Sequence, residues 1–96
     1  MKIPEMKTII VIAKNWQCRS NGKIYHTVTV YVNGYFLGRS EIITSGFDSD
    51  YFNTALEIYQ GYDEQAKETR WLPNYCLNQD IVLYSHKINV PNHKDL

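Results

Sequence analysis

The sequence has few cysteines, few prolines and no surplus of either charge. Its two cysteines, Cys18 and Cys76, are too few and too far apart for a metal knuckle or a disulfide framework, so we expect free thiols. Ten basic residues balance ten acidic ones, which removes the positive excess from which a duplex-binding protein draws its phosphate affinity. No apolar run approaches the ~20 residues of a membrane span, so we expect a cytoplasmic protein without membrane contact.

What the chain does contain is typical of a small globular fold. Of its 96 residues, 44% are hydrophobic and 14% are aromatic, including eight tyrosines. There is no repeat or low-complexity tract, and the prolines lie near the ends or at a junction, so we predict one domain spanning residues 1–96. Tyrosine combines apolar area with a hydroxyl, and this much of it suits a contact surface as well as a core.

The first half of the chain predicts three strands. The β-branched apolar run within residues 7–16 predicts a central strand covered on both sides, and Ile24–Val32 alternates as a second strand. Asn33-Gly34 predicts a two-residue type I′ hairpin leading into a third strand from Tyr35 to about Thr44. The short loop predicts cross-strand pairs of Val32 with Tyr35, Tyr31 with Phe36, Val30 with Leu37, Val28 with Arg39, and His26 with Glu41. Gly38 leaves a gap in the third strand, or marks a bulge or a close backbone approach.

The second half predicts a helix, a short helix and a strand. Asp48 is the expected N-cap, with Phe47 packing on Phe52, and Gly61 is the expected stop. Trp71-Leu72-Pro73 precedes a short helix around residues 74–78, and the last strand spans Asp80–Val90. The order β-β-β-α-(α)-β predicts an α+β fold, a mainly antiparallel four-stranded sheet with helices packed on one face.

The hairpin and the helix resemble those of a group of small uncharacterised proteins encoded by tailed bacteriophages. The motifs that carry the resemblance are YHTVTVYVNG at 25–34, Gly38-Arg39-Ser40, Gly46-Phe47-Asp48, Tyr51, TALE at 54–57, and the closing Lys94-Asp95-Leu96. These motifs cover most of the chain from the second strand onward, and they are structural ones. The resemblance therefore implies an origin in a phage or mobile element rather than a mechanism.

Two groups of side chains invite a chemical interpretation. The predicted register brings His26, Arg39 and Glu41 to one face, the minimum for acid–base chemistry, but no nucleophile accompanies them and we interpret them as a structural network. His26, His86 and His93, with Cys76 or Asp80, have no recognisable metal-ligand spacing, and alternation favours a partly buried His86. A glycine-rich phosphate loop is also missing. We therefore predict no catalytic residue, no metal, no cofactor and no enzyme.

The remaining expectation is a binding protein. If Val28, Val30 and Leu37 face the helix, large aromatics lie on the opposite side of the hairpin. We predict a phage or mobile-element accessory protein that binds a macromolecule, first a host protein, with inhibition of antiviral defence as one such role; a second copy of the chain is a further partner. The alternative is a single-stranded nucleic-acid-binding module that adds Lys14, Lys23 and Arg19 to the aromatics, and a small enzyme ranks third. The predicted binding residues are Tyr25, Tyr31, Phe36, Arg39 and Trp71.

Overall fold

The computed structural model describes residues 7–45 and 50–96, which form an α+β fold around a mixed sheet. The strands are β1 (Thr8–Gln17), β2 (Ile24–Val32), β3 (Tyr35–Arg39), β4 (Ile43–Ser45) and β5 (Val82–Asn89). The helices are α1 (Tyr51–Gln60) and α2 (Leu72–Asn78), with single 3₁₀ turns at Glu64–Ala66 and His93–Asp95. The predicted α+β class is confirmed, and so are the positions of both helices.

The sheet has the order β3-β2-β1-β5, and β4 pairs with β2 beyond the end of β3. All pairings are antiparallel except that of β1 with β5, which is parallel. A parallel pair needs a long crossover, and here α1 and α2 supply it between β4 and β5. The expected four-stranded sheet is therefore corrected to five strands in the described part of the chain, mostly but not wholly antiparallel.

The hairpin between β2 and β3 has the predicted turn. Asn33 and Gly34 have φ angles of 52° and 83°, which is the type I′ geometry. The first two predicted pairs form, Val32 with Tyr35 and Tyr31 with Phe36. After Tyr31 the register shifts by a bulge, which contradicts the other predicted pairs. The observed partners are Val30 with Gly38, Thr29 with Arg39, His26 with Ile43, and Tyr25 with Thr44.

The bulge lies where helix α1 crosses the sheet. A Cβ at position 38 would lie 3.0 Å from Cγ2 of Ile58, so Gly38 permits a close approach of β3 to the helix. Beyond Arg39 the strand breaks, and Ser40 makes both hydrogen bonds to Val28 at this point. The Ser40 amide donates to the Val28 carbonyl, and the Ser40 Oγ accepts from the Val28 amide at 2.9 Å. The single strand predicted from Tyr35 to Thr44 is therefore two strands.

Strand β1 is central, and in the described part of the chain helices cover only one of its faces. Ile9, Val11 and Ala13 are fully buried, whereas the alternate side chains between them are half-buried. The prediction of a strand covered on both sides is wrong because both helices pack on the same side. The buried core combines β1 and β2 with α1 and α2, and its hydrophobic members include Val28, Val30, Ala55, Leu56, Tyr59, Leu72 and Cys76.

The ends of α1 are only partly comparable with the prediction. The expected N-cap Asp48 and its neighbour Phe47 lie outside the described residues. In the described part, Asp50 occupies the capping position before Tyr51. At the other end the helix stops at Gln60, and Gly61 is the C-cap residue as predicted.

A polar cluster links α1, α2 and the start of β1. The Tyr59 and Tyr75 hydroxyls both donate to Oδ2 of Asp63, at 2.7 and 2.9 Å, and Lys7 Nζ donates to the Tyr59 hydroxyl at 2.8 Å. The Tyr59 hydrogen bond holds the pKa of Asp63 below its usual value, while burial raises the pKa of Tyr59 and Tyr75. The residues between the two helices are therefore fixed to the helical layer by Asp63.

Candidate functional site

The side of the sheet opposite the helices is the candidate site, and we call it the open face. Register places alternate residues of each strand on this side, because directly paired residues share a face. Its members are Ile10, Ile12, Lys14 and Trp16 of β1; Tyr25, Thr27, Thr29 and Tyr31 of β2; Phe36 and Arg39 of β3; and Tyr84, His86 and Ile88 of β5. Within residues 7–45 and 50–96, no helix covers this face.

Aromatic side chains stand out at the hairpin end of the open face. Phe36 is 64% exposed, and its ring meets that of the half-buried Tyr31 edge-on, with centroids 6.0 Å apart. Tyr84, across the sheet on β5, is 61% exposed. An apolar surface of this kind on a sheet is unusual unless something contacts it.

A cationic depression lies beside these rings. Its volume is about 260 Å³, and it is lined by Ile12, Lys14, Thr27, Thr29, Tyr31 and Arg39. The Lys14 and Arg39 cations therefore share it with three hydroxyl groups. On the described strands, the open-face positions carry Lys14, Arg39 and His86 but neither Asp nor Glu, so this face has a positive character that the balanced overall charge conceals.

The other end of the open face is covered by the segment that follows β5. The His93 ring meets Trp16 edge-on, with centroids 5.4 Å apart, and Arg39 Nη2 donates a hydrogen bond to the main-chain oxygen of Leu96. Leu96 is buried, as is Thr27. The exposed part of this face is therefore the hairpin end, around Phe36.

Four of the five predicted binding residues share the open face. Tyr25 lies under the covered end, where its ring packs on Trp16 at 5.6 Å and its hydroxyl accepts from Asn21. Tyr31, Phe36 and Arg39 border the exposed end and the depression. The fifth, Trp71, is in the helical layer, where its ring meets that of Phe52 edge-on at 5.3 Å. The structure thus separates Trp71 from the other four.

The predicted group of His26, Arg39 and Glu41 does not form. His26 is buried on the helix side, and its Nε2 is 2.7 Å from Thr54 Oγ1 on α1. Burial lowers the His26 pKa, and the nearby Asp50 carboxylate partly opposes this effect. The bulge moves Arg39 to the opposite face, while Glu41 is exposed in the break between β3 and β4. The pairing fails because the one extra residue at the bulge reverses the side of Arg39, and the break between β3 and β4 takes Glu41 out of the ladder.

The three histidines also lie apart. His86 is exposed on the open face of the edge strand β5, which contradicts the expected partly buried position, because the helices of the described residues pack on the other side. His26 is in the core, and His93 contacts Trp16. No cluster of three or more His, Cys, Asp or Glu residues that could hold a metal occurs among the described residues.

Both cysteines are free thiols, as expected, but their surroundings differ. The Cys18 sulfur lies 3.0 Å from Ser20 Oγ, and this contact, with the Asn21 and Ser20 backbone, lowers the Cys18 pKa. Cys76 is buried between α2 and the sheet, and burial raises its pKa to about 11. Cys76 is therefore a core residue, and Cys18 is the more reactive thiol.

Together these features define a small α+β protein whose sheet is packed by helices on one side and presents an aromatic and cationic surface on the other. In comparisons with known proteins, no family model, curated protein or solved structure matches the chain. None of the helices in the described part is long and apolar enough to cross a membrane.

Sequence reasoning missed Tyr84 and His86 as members of the open face. Alternation along β5 groups Val82, Tyr84, His86 and Ile88 correctly, but it marks theirs only as the more apolar face of the strand, with His86 partly buried. The signal that could have corrected this is the mixed character of the opposite set, in which Leu83 alternates with Ser85, Lys87 and Asn89. Of these, Leu83 packs against the core, whereas Ser85 and Asn89 are exposed.

Proposed function

We propose that this protein is a binding module that contacts another macromolecule through the exposed end of the open face. The observation that carries the proposal is the aromatic pair of Tyr31 and Phe36, adjacent across the hairpin and covered by no helix of the described chain. Tyrosine and other aromatics are enriched in protein interfaces, where they supply large rigid contact areas. The proposed role is binding rather than catalysis.

The proposed partner is a protein of a bacterial host, and the proposed setting is the host cytoplasm. Support comes from the hairpin and helix motifs that resemble those of small tailed-phage proteins. Inhibition of an antiviral defence component is one role that such an accessory protein would serve.

Affinity capture with matched variants tests this proposal. Purified protein on a support is incubated with nuclease-treated bacterial lysate, in parallel with Phe36→Ala and Leu77→Ala. Leu77, on α2, is 77% exposed and distant from the open face, so it controls for general loss of surface apolar area. A candidate partner is then purified and its affinity measured. If Phe36 is an interface anchor, its truncation costs about 2 kcal/mol or more in binding.

The expected pattern is a protein bound by the wild type and by Leu77→Ala but lost from Phe36→Ala. Equal capture by all three forms would contradict the assignment of the open face. Sedimentation of the purified protein shows whether the occupant is a second copy of the chain: a dimer that Phe36→Ala dissociates would replace the host protein as the partner.

A second candidate function is single-stranded nucleic-acid binding, and the cationic depression favours it. Lys14 and Arg39 could neutralise a phosphate there while an adjacent base stacks on Phe36, the combination that single-strand binders use. The strand positions facing this side carry no acidic residue in the described chain, which removes repulsion at the contact. The net charge of zero still limits the long-range attraction.

Fluorescence anisotropy with a labelled single-stranded oligonucleotide tests this alternative. We expect an affinity that falls with salt, and Lys14→Gln should reduce both the affinity and the slope of its salt dependence by about one counterion. Lys67→Gln is the matched control, because Lys67 is an exposed lysine outside the sheet that pairs with Glu64. If the two substitutions changed the oligonucleotide affinity equally, the oligonucleotide would not be bound at the depression.

A further inference from the structure

The chain leaves the sheet at Val90, and residues 91–96, which we call the strap, pass over the open face. The Val90 amide donates to the Asn15 carbonyl at 2.8 Å, and Pro91 then has no amide hydrogen with which to extend the ladder. The main-chain hydrogen bonds of the strap close its own 3₁₀ turn at His93–Asp95. In the described part of the chain, no hydrogen bond between main-chain atoms joins the strap to a strand.

The strap buries little of its own surface. Residues 91–94 are exposed, and Leu96 is the one buried residue of the strap, with 7% of its surface exposed. Its contacts with the strands include the edge-on packing of His93 on Trp16 and the hydrogen bond from Arg39 Nη2 to the Leu96 main-chain oxygen. Segments with few buried apolar contacts open locally without unfolding the rest of a protein. We therefore expect the strap to be displaceable.

The surface under the strap has the composition of a binding site. The Trp16 and Tyr25 rings pack on each other with centroids 5.6 Å apart, and Arg39 reaches the far end of the strap. Tryptophan, tyrosine and arginine are the residue types that most often dominate the binding energy of interfaces. Arg39 also lines the cationic depression, so release of the strap would join this surface to the exposed end of the open face.

The contacts of the strap define the chemistry of a ligand for this surface. Leu96 supplies a buried aliphatic side chain together with an acceptor oxygen for the Arg39 guanidinium, and His93 supplies a flat ring for Trp16. Lys14 lies in the same depression as Arg39, and the open-face positions of the described strands carry no carboxylate. The surface therefore favours a ligand that brings an acceptor or an anionic group over one that brings an ammonium group.

We propose that the surface under the strap is a peptide-binding site, which the strap occupies in the isolated protein and from which a partner segment of the same chemistry displaces it. That segment would present an aliphatic side chain beside a free acceptor oxygen, preceded by a planar ring. This inference deepens the proposed function and rests on it for the partner being a protein. Because the strap is tethered, its local concentration is on the order of millimolar, so a partner segment must bind more tightly than the strap sequence does when it is free.

A weakened strap allows the site to be tested without the partner. The variant is Leu96→Ala in the full chain, and the readout is the indole NH signal of Trp16 in nuclear magnetic resonance spectra. Trp71, in the helical layer, gives the internal reference signal. Leu96→Ala should shift the Trp16 signal, because His93 leaves the ring, while the Trp71 signal and the cooperative melting transition remain. Lys94→Ala, at an exposed strap position, is the matched control and should leave both signals unchanged.

The probe for binding is a synthetic acetylated peptide with the sequence of residues 91–96, added to the Leu96→Ala protein. We expect the peptide to return the Trp16 signal towards its wild-type position in a saturable way. The same peptide carrying Leu96→Ala should bind about tenfold more weakly or worse, since it lacks the buried side chain. Adding Arg39→Gln to the protein should also weaken binding of the first peptide, whereas Arg70→Gln, at another exposed arginine, should not.

Four results would overturn the proposal. They are a Trp16 signal that Leu96→Ala leaves in place, no saturable response to the peptide, equal binding of the two peptides, and global unfolding of Leu96→Ala, which would make Leu96 part of the core. The assignment of the exposed end is tested separately by Phe36→Ala in affinity capture. Because the peptide titration uses no macromolecular partner, the peptide site and the proposed interface at the exposed end can fail independently.

Discussion

The two faces of the sheet are formed by the same strands, yet they differ in almost every physical property. On the helix side, Val28 and Val30 are completely buried, and α1 approaches so closely that position 38 accommodates only glycine without displacing Ile58. On the open face, Thr29 and Tyr31 of the same strand are half-buried, and Phe36 projects into solvent. The alternation of side chains along the strands thus places the packed residues on one side of the sheet and leaves the other side free to contact a partner.

The contrast also concerns polar groups. The partly buried Asp63 carboxylate on the helix side accepts hydrogen bonds from two tyrosine hydroxyls, and it forms an ion pair with Lys7 at 3.6 Å. On the open face, Lys14 and Arg39 share a depression with no carboxylate among its described lining residues. Stability should therefore respond to changes on the helix side, and binding to changes on the open face. Four substitutions examine this division.

The largest effect is expected for Leu72→Ala on α2. Leu72 is fully buried against the core, so truncation leaves a cavity and should cost about 2–5 kcal/mol of unfolding free energy. Chemical denaturation of the variant and the wild type measures the difference, and Leu77→Ala on the exposed side of the same helix should cost far less. A loss below ~1 kcal/mol for Leu72→Ala would mean that α2 is not packed on the sheet as described.

Asp63→Asn should have the next largest effect, about 2 kcal/mol at neutral pH, because a charge-assisted acceptor for two hydroxyls is replaced by a neutral one. The pKa of Asp63 is lowered on folding, so its stabilisation is complete above the unfolded value of about 3.9 and is lost as pH falls through the folded value. The gap between wild type and variant should accordingly be constant near neutrality and shrink in acid. A gap that is the same at acidic and neutral pH would show that the Asp63 charge is not involved.

The elements that local sequence determines could be predicted. The turn at Asn33-Gly34 requires two positive φ angles, and few other dipeptides allow them, so the hairpin was predictable to the residue. The same holds for the sharing of a face by Tyr25, Tyr31 and Phe36, which depends only on alternation and on pairs close to the turn. This is why the aromatic part of the open face on the hairpin was predicted.

The features that depend on tertiary packing could not be predicted. The bulge before Gly38 lies where β3 meets Ile58, a residue on a helix that comes later in the chain, and it reverses the side on which Arg39 lies. The pairing of β5 with β1 likewise depends on contacts between residues far apart in the sequence. The exposure of Tyr84 and His86 follows from this pairing. Nothing in the sequence distinguishes Asn15 from other strand residues, because the missing hydrogen-bond partners of its carboxamide are seen only in the folded structure.

Gly34→Val should have an intermediate effect, a loss of about 1–2 kcal/mol, because a β-branched residue resists the left-handed conformation at φ 83°. No atom lies close enough to obstruct a Cβ there, so the cost is one of backbone conformation alone. Thermal unfolding measures it, and Gly61→Ala is the control, since Gly61 has an ordinary helical φ of −68°. Equal midpoints for wild type and Gly34→Val would remove the basis for the register that brings Tyr31 beside Phe36.

The smallest effect on stability is expected for Phe36→Ala, although Phe36 is the residue from which we expect the largest contribution to partner binding. Its side chain is 64% exposed, and its only ring contact among the described residues is the edge-on one with Tyr31. Surface truncations away from special features usually change stability by less than about 0.5 kcal/mol, and loss of one aromatic contact adds at most about 1 kcal/mol. Chemical denaturation should therefore give nearly the wild-type midpoint and an unchanged denaturant dependence. A loss comparable with that of Leu72→Ala would place Phe36 in a packed core, and the open face would then have to be covered by part of the chain itself instead of a partner.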